Sequence, residues 1–200
     1  LFKISFPAEF HAQTAVEAAV ILHEQVKDKF DEIEKILITT HESAIRIISK
    51  EGILNNPADR DHCLQYMTAI GLLKGDLVAE DYEDDMASDR RVDQLREKMF
   101  IEEDNRYSKE YLEADKRSIA NSIQIFFTDG SSTEKIEVEY PIGHRRRREQ
   151  GIPMLVEKFE RNLATQFSDQ RCQEILSLCL DQESLETTSV PDFMNLFIAE

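Results

Sequence analysis

The chain has 200 residues, with 24 basic side chains against 40 acidic ones, and a formal net charge of −16 at pH 7. Apolar residues make up 41% of it, enough for a hydrophobic core and too much for a disordered segment. The acidic balance argues against a nucleic-acid partner and against docking on an anionic membrane. Three cysteines, an odd and sparse set, argue against a disulfide framework and favour a cytoplasmic location.

The start of the chain indicates a fragment of a longer protein. It does not begin with methionine, and residues 1–6 are typical of a strand that has no preceding cap. These residues lack the apolar segment and cleavage site of a signal peptide, and no apolar run approaches the length of a membrane span.

The next two predicted elements are a helix over residues 9–26 and a strand over residues 33–40. Alanine and aliphatic side chains recur at helical spacing in the first, and β-branched residues fill the short second. We expect the strand to continue through residues 44–48 after a break near His41.

A further helix is predicted from Asn56 to about Leu73. Asn56 can cap it, Pro57 suits the first turn, and Gly75 suits the C-terminal end. Residues 76–104 then carry twelve acidic and four basic side chains, which is half of the net charge. Within this acidic stretch the pattern favours helices near residues 79–86 and 89–98.

Residues 119–140 predict a β-hairpin, because two alternating apolar runs flank the turn residues Thr-Asp-Gly-Ser. After Pro153 the apolar spacing is helical to the end, with Ser168 as the cap of a second helix and Ser189 at the start of a third. The predicted fold class is α+β, a small mixed sheet with packed helices followed by an all-helical C-terminal tail. We expect an α+β domain at residues 1–152 and the helical tail at 153–200.

Two groups of polar residues are candidates for proton transfer. His11 could act as a general acid or base, because imidazole titrates near neutral pH, or it could be a surface histidine. Arg60, His62 and Tyr66 fall within two turns of one predicted helix, where His62 and Tyr66 share a face. They could hold a carboxylate and move a proton, or they could form an ordinary polar helix shoulder.

Four consecutive arginines follow Gly143 and His144. Guanidinium groups recognise carboxylates, so this run could contact a small anionic substrate, or it could be a solvated loop paired with the acidic segment. Substrate contact is favoured for His144 and Arg145 over the rest of the run.

Other residue patterns exclude several kinds of site. Residues 80–85 are acidic but lack the glycine turn and ligand spacing of an EF-hand, so they are interpreted as a solvated helix face. The cysteine spacing fits no metal or cluster site, and phosphate-binding and nucleophile motifs are absent from the sequence. Residue patterns alone therefore name no reaction.

Five segments of the sequence resemble the dehydratase branch of the MmgE/PrpD family. They are FPAEFHAQTAVEAA at 6–19, LNNPADRDHCLQYM at 54–67, AEDYEDD at 79–85, FTDGS at 127–131 and VEYPIGHRRR at 138–147. The resemblance implies a two-domain enzyme in which this chain is the smaller α+β domain, with a helical tail that returns to a large N-terminal helical domain. It also implies a cytoplasmic homodimer that uses no cofactor.

The reaction implied is removal of water from 2-methylcitrate to give 2-methyl-cis-aconitate in the methylcitrate cycle of propionate breakdown, without the iron–sulfur cluster of aconitases. Citrate is a further expected substrate. Two alternatives remain open at this point. The chain could be a non-catalytic scaffold or dimerisation domain of such an enzyme, or it could belong to a relative that epimerises or decarboxylates a similar polycarboxylate.

The resemblance also implies a site in the cleft between the two domains. Tyr66 matches a family tyrosine, the Gly143-His144 step matches a loop near the cleft, and Gln13 stands where the broader family has a histidine. The expected catalytic residues are His11, Tyr66 and His144; the expected substrate-binding residues are Gln13, Arg60, His62 and Arg145. No metal ligand is expected.

Overall fold

The computed structural model describes residues 3–198. The chain divides after Arg148 into two compact units. Of the strand predicted at the start, residues 1 and 2 lie outside the described part. Residues 3–6 are irregular, with a bend at residues 4 and 5, and form no strand. The prediction of a strand is therefore wrong for residues 3–6, the part of it that the structure describes.

The first unit contains helices and a sheet in mixed order. Its helices are α1 (Gln13–Val26), α2 (Glu42–Ile48), α3 (Pro57–Asp61), α4 (Leu64–Lys74), α5 (Asp84–Ala87), α6 (Arg90–Glu97) and α7 (Asn105–Leu112). Its strands are β1 (Ile33–Thr40), β2 (Met99–Glu103), β3 (Asn121–Phe127) and β4 (Ile136–Val138). Short 3₁₀ turns lie at Phe10–Ala12, Phe30–Glu32, Ala79–Tyr82 and Arg145–Arg147.

The four strands form one mixed sheet in the order β2-β1-β3-β4. β1 and β2 are parallel neighbours. Two parallel strands need a long crossover connection, and the helices between β1 and β2 form that connection. β3 pairs antiparallel with both β1 and β4. The predicted hairpin is confirmed, with Gly130 at φ +83° in its turn, and so is the α+β fold class.

The core lies between one face of the sheet and the packed pair α1 and α4. Ile36 and Ile38 of β1 and Ile123 and Ile125 of β3 are fully buried in it. The two helices approach closely at Gly71, where an added Cβ would lie 2.9 Å from Cβ of Ala19. Small residues at this crossing therefore set the distance between the two helices.

Two predicted elements differ from the structure. Residues 44–48 lie in helix α2, not in a strand, because Ala44 and Ile48 bury one face at helical spacing. The helix predicted from Asn56 is capped by Asn56 as expected, but it breaks at His62 and Cys63 into α3 and α4. Extended backbone at Cys63 makes this break, and Gly75 ends α4 at φ +70°.

The second unit is helical. Its helices are α8 (Arg148–Leu163, which begins at the end of the first unit), α9 (Asp169–Leu180), α10 (Gln182–Thr187) and α11 (Val190–Asn195). Ser168 and Ser189 cap α9 and α11, as predicted. In the described part of the chain, no helix combines the length and apolar character needed to cross a membrane.

Candidate functional site

His11 lies at the centre of a polar cluster before helix α1. Glu9 precedes the 3₁₀ turn and accepts a hydrogen bond from the backbone N–H of His11 at 2.7 Å. The same carboxylate lies 2.9 Å from Nδ1 of the imidazole. On the other side of the ring, Nε2 lies 3.2 Å from the hydroxyl oxygen of Tyr111 in α7. His11 is 6% exposed, so the structure does not support a surface histidine.

Glu9 is a carboxylate whose environment favours its charged form. Burial raises its pKa, but hydrogen bonds from His11 and the charge of His11 outweigh burial and hold the pKa below its usual value. The imidazole of His62 adds to this effect, which places His62 within electrostatic range of Glu9. An ionised Glu9 fixes a proton on Nδ1 of His11 and orients the ring.

His41 completes the cluster from the buried side. It follows β1 directly, is fully buried, and stacks on Tyr111 with ring centroids 4.6 Å apart and an interplanar angle of 16°. Its ring centroid lies 5.2 Å from that of His11. Burial and, to a smaller extent, the neighbouring His11 lower the pKa of His41 to about 4, while Glu9 opposes the shift.

Gln13 supports this arrangement from the first turn of α1. Its side-chain amide donates to the carbonyls of Phe6 and Ala8 at 3.0 and 2.8 Å. Both bonds fix the segment that leads into Glu9. The structure therefore gives Gln13 a holding role next to His11, and its predicted substrate contact stays a prediction.

Sequence reasoning missed His41 and Tyr111. Tyr111 reaches His11 across 100 residues of chain, so local spacing gave no signal for the pair. His41 did carry a signal, because a polar side chain directly after a buried strand lies at the edge of the sheet. Together these residues give a Glu–His–Tyr hydrogen-bonded chain that can hold and move a proton.

Arg60 and Tyr66 lie in a second part of the first unit, away from the cluster around His11. The hydroxyl of Tyr66 donates to the carbonyl of Asp81 at 2.5 Å, and burial raises its pKa to about 12. Arg60 is buried and donates to the carbonyl of Tyr82 and to Asp84, both at 2.6 Å. Both side chains line a cavity of about 1070 Å³, to which α2, α6 and β2 also contribute residues.

His62 does not share a face with Tyr66. The helix break places His62 at the C-terminal end of α3, where its side chain is about half exposed and contacts Asp61. The predicted shared face is therefore wrong, because the spacing of four residues applies only within a continuous helix. His62 lies instead on the side of Glu9, while Tyr66 lies toward the cavity.

His144 and Arg145 lie in a third part of the first unit. A hydrogen bond from Arg145 to the segment after α7 links it to the cluster around His11. His144 is 2% exposed, stacks on Tyr140 at 4.4 Å, and accepts a hydrogen bond from the N–H of Arg146. Burial and then the charges of Arg145 and Arg146 lower its pKa. Arg145 donates to the carbonyl of Asp115, four residues after Tyr111.

The residues predicted for the site therefore occupy three neighbourhoods of the first unit. His11, Gln13 and His62 belong to the Glu9 neighbourhood, Arg60 and Tyr66 to the cavity, and His144 and Arg145 to the loop after β4. Among residues 3–198, three or more His, Cys, Asp or Glu side chains do not come together in a way that could hold a metal ion.

Comparison with known proteins gives one family and relatives that share one name. The MmgE/PrpD C-terminal domain matches residues 6–182. The chain is 55% identical over 201 aligned residues to the 2-methylcitrate dehydratase of Escherichia coli strain K12, covering 99% of the chain and 42% of that protein. The mitochondrial 2-methylcitrate dehydratase of Yarrowia lipolytica is 51% identical, with 99% of the chain and 38% of that protein covered. The chain thus spans about two fifths of the length of these relatives.

Proposed function

Because the chain belongs to the MmgE/PrpD family through its C-terminal domain, we propose that it is part of a 2-methylcitrate dehydratase. The reaction is removal of water from 2-methylcitrate to give 2-methyl-cis-aconitate in propionate breakdown, with citrate as a further substrate. The observation that carries the proposal is 55% identity over 99% of the chain to a relative of that name.

The whole enzyme in this proposal is longer than the chain. The relatives extend well beyond the aligned region, which leaves room for a further domain. We propose that this is an N-terminal helical domain that completes the cleft. We place the enzyme in the cytoplasm as a homodimer that works without a cofactor. The three free cysteines of the described residues accord with a reducing compartment.

In this proposal the Glu9 neighbourhood takes part in the acid–base chemistry. Dehydration requires a base for the proton next to a carboxylate and an acid for the leaving hydroxyl. His11 suits proton transfer because Glu9 fixes its Nδ1 proton and leaves Nε2 to the hydrogen bond with Tyr111. His62, whose charge acts on Glu9, is the proposed contact for a substrate carboxylate on this side.

The loop after β4 supplies the remaining contacts in this proposal. Arg145 is exposed, and a guanidinium group of this kind binds a carboxylate through paired hydrogen bonds. We place His144 and Gln13 on the same side of the cleft as further substrate contacts, and Arg60 and Tyr66 at the cavity that they line.

The test is a dehydration assay on the full-length protein that contains this chain. 2-Methylcitrate is supplied with EDTA present, and formation of the unsaturated tricarboxylate is followed by its ultraviolet absorbance. We expect product to form from 2-methylcitrate, and citrate is assayed in parallel. A folded protein that forms no product from 2-methylcitrate would show that the proposed reaction is wrong.

A second candidate is a supporting, non-catalytic role for the cavity side of the first unit and for the loop after β4. It is favoured by Tyr66, whose hydroxyl proton is donated to the carbonyl of Asp81. Tyr66→Phe and His144→Ala in the full-length enzyme separate the candidates. A catalytic role predicts a kcat at least about tenfold lower, whereas unchanged kinetics in both variants would assign these residues to the scaffold.

A further inference from the structure

The hydrogen-bonded chain at His11 continues to a residue that neither the sequence pattern nor the family resemblance assigns. Tyr111 is half-buried in α7, whereas His11 and His41 are buried. Its hydroxyl oxygen lies 3.2 Å from Nε2 of His11. Glu9, at the other end of the hydrogen-bonded chain, is also partly exposed, but its carboxylate accepts from the backbone N–H and Nδ1 of His11 and carries no proton to give. The phenol is therefore the end that can donate a proton to a ligand at the surface of the first unit.

His41 fixes the orientation of this phenol. The two rings are nearly parallel at 4.6 Å, which holds the ring of Tyr111 against the buried side of the cluster. Among the described residues, neither ring nitrogen of His41 has a hydrogen-bond partner. A ring that contributes stacking but no hydrogen bond leaves the hydroxyl of Tyr111 directed to His11.

We propose that Tyr111 is a catalytic residue that passes a proton from His11 to the leaving hydroxyl of the substrate. The inference rests on the proposed dehydration and adds a residue to it. Glu9 anchors the imidazole, His11 supplies the proton, Tyr111 delivers it, and His41 is a positioning residue behind the phenol.

The step balances in protons and electrons. A general base of the carboxylate or imidazole class, outside this chain of groups, removes the C–H proton, and the electron pair of that bond becomes the C=C bond. The C–O pair leaves with the hydroxyl oxygen, which takes the O–H proton of Tyr111 and departs as water. Nε2–H of the His11 imidazolium then replaces that proton on the phenol oxygen, while Nδ1–H stays with Glu9.

The deciding variant is Tyr111→Phe in the full-length enzyme, with Tyr107→Phe as its matched control. Tyr107 lies one turn earlier in α7, and the same change there also removes one hydroxyl hydrogen bond, the one to Glu137. We expect Tyr111→Phe to lower kcat at least tenfold with little change in KM, and Tyr107→Phe to leave kcat near that of the wild type.

A double variant tests whether the groups act in series. His11→Gln with Tyr111→Phe should cost no more activity than the worse single variant, because either change interrupts the same proton path. Provided that the wild-type enzyme is active, either of two results would overturn the role of Tyr111. One is that Tyr111→Phe is as active as Tyr107→Phe, and the other is that the activity losses of the two single variants add fully in the double variant. A wild-type enzyme with no dehydration of 2-methylcitrate would instead overturn the proposed function.

Discussion

At the scale of single residues, His41 couples the stability of the fold to pH. Its pKa is about 4 in the fold, below the ordinary value of 6.5, because burial disfavours the cation. Above pH 6.5, the ordinary pKa, His41 is neutral in both the folded and the unfolded protein, so its burial costs no stability. As the pH falls toward 4, only the unfolded state takes up the proton, so stability falls by up to about 3 kcal/mol.

His41→Phe isolates this effect because it keeps an aromatic ring and removes the titration. We expect urea denaturation, followed by circular dichroism, to show a shallower loss of stability between pH 7 and pH 4 in this variant than in the wild type. Glu9, His11 and Tyr111 face the same ring and remain in both proteins, so the difference in slope reports His41. Equal slopes would contradict the prediction.

Residues of the candidate site differ in how far the sequence reveals them. His11 could be proposed from its type and position, but its burial could not, because that depends on α7 packing over it. His62 and Tyr66 appeared to share a face only because the break at Cys63 leaves no local signal. Tyr111 becomes visible only once the fold places it beside His11, 100 residues earlier in the chain.

At the scale of elements, the α1–α4 contact depends on the absence of a side chain at Gly71. Alanine there would place a Cβ 2.9 Å from Ala19 Cβ and 3.3 Å from the carbonyl oxygen of Val16. Helix propensity favours alanine by about 1 kcal/mol, but the steric cost in a packed core is about 1–3 kcal/mol. We therefore expect Gly71→Ala to lower the free energy of unfolding, as measured by urea denaturation.

The compensating variant Ala19→Gly distinguishes a local clash from a general effect on α4. Moving the methyl group from α1 to α4 restores room at the crossing, so the double variant should be more stable than the sum of the two single effects predicts. Additive effects would mean that the two residues are not in contact and would contradict the close approach.

Elements with local chemical signals could be predicted, and those that depend on the rest of the fold could not. Asn56, Ser168 and Ser189 were recognised as caps because a cap acts on the adjacent backbone. β2 was missed because it is a short edge strand whose side chains are mostly exposed. α2 was assigned to a strand because its isoleucines suit either structure, and tertiary burial decides between them.

At the scale of the whole molecule, the two units differ in the amount of apolar surface they bury. The first unit has an extended core of sheet and helices. The second buries a small cluster, Leu163, Cys172, Ile175 and Leu176, and leaves Ile152, Leu180 and Val190 more than half exposed. Since burial supplies most of the stabilisation of a small unit, the second unit should open at lower free energy than the first.

Hydrogen exchange tests this difference and the proposed helical partner together. In the chain alone we expect the amides of α9 to exchange faster than those of α1 and α4. In the full-length enzyme the amides of α8–α11 should become more protected, because the proposed N-terminal domain covers their apolar side chains, while α4 serves as the internal control. Equal protection of α9 and α4 in the chain alone would contradict the difference in stability. Unchanged protection of α8–α11 in the full-length enzyme would contradict the packing of the helical tail on that domain.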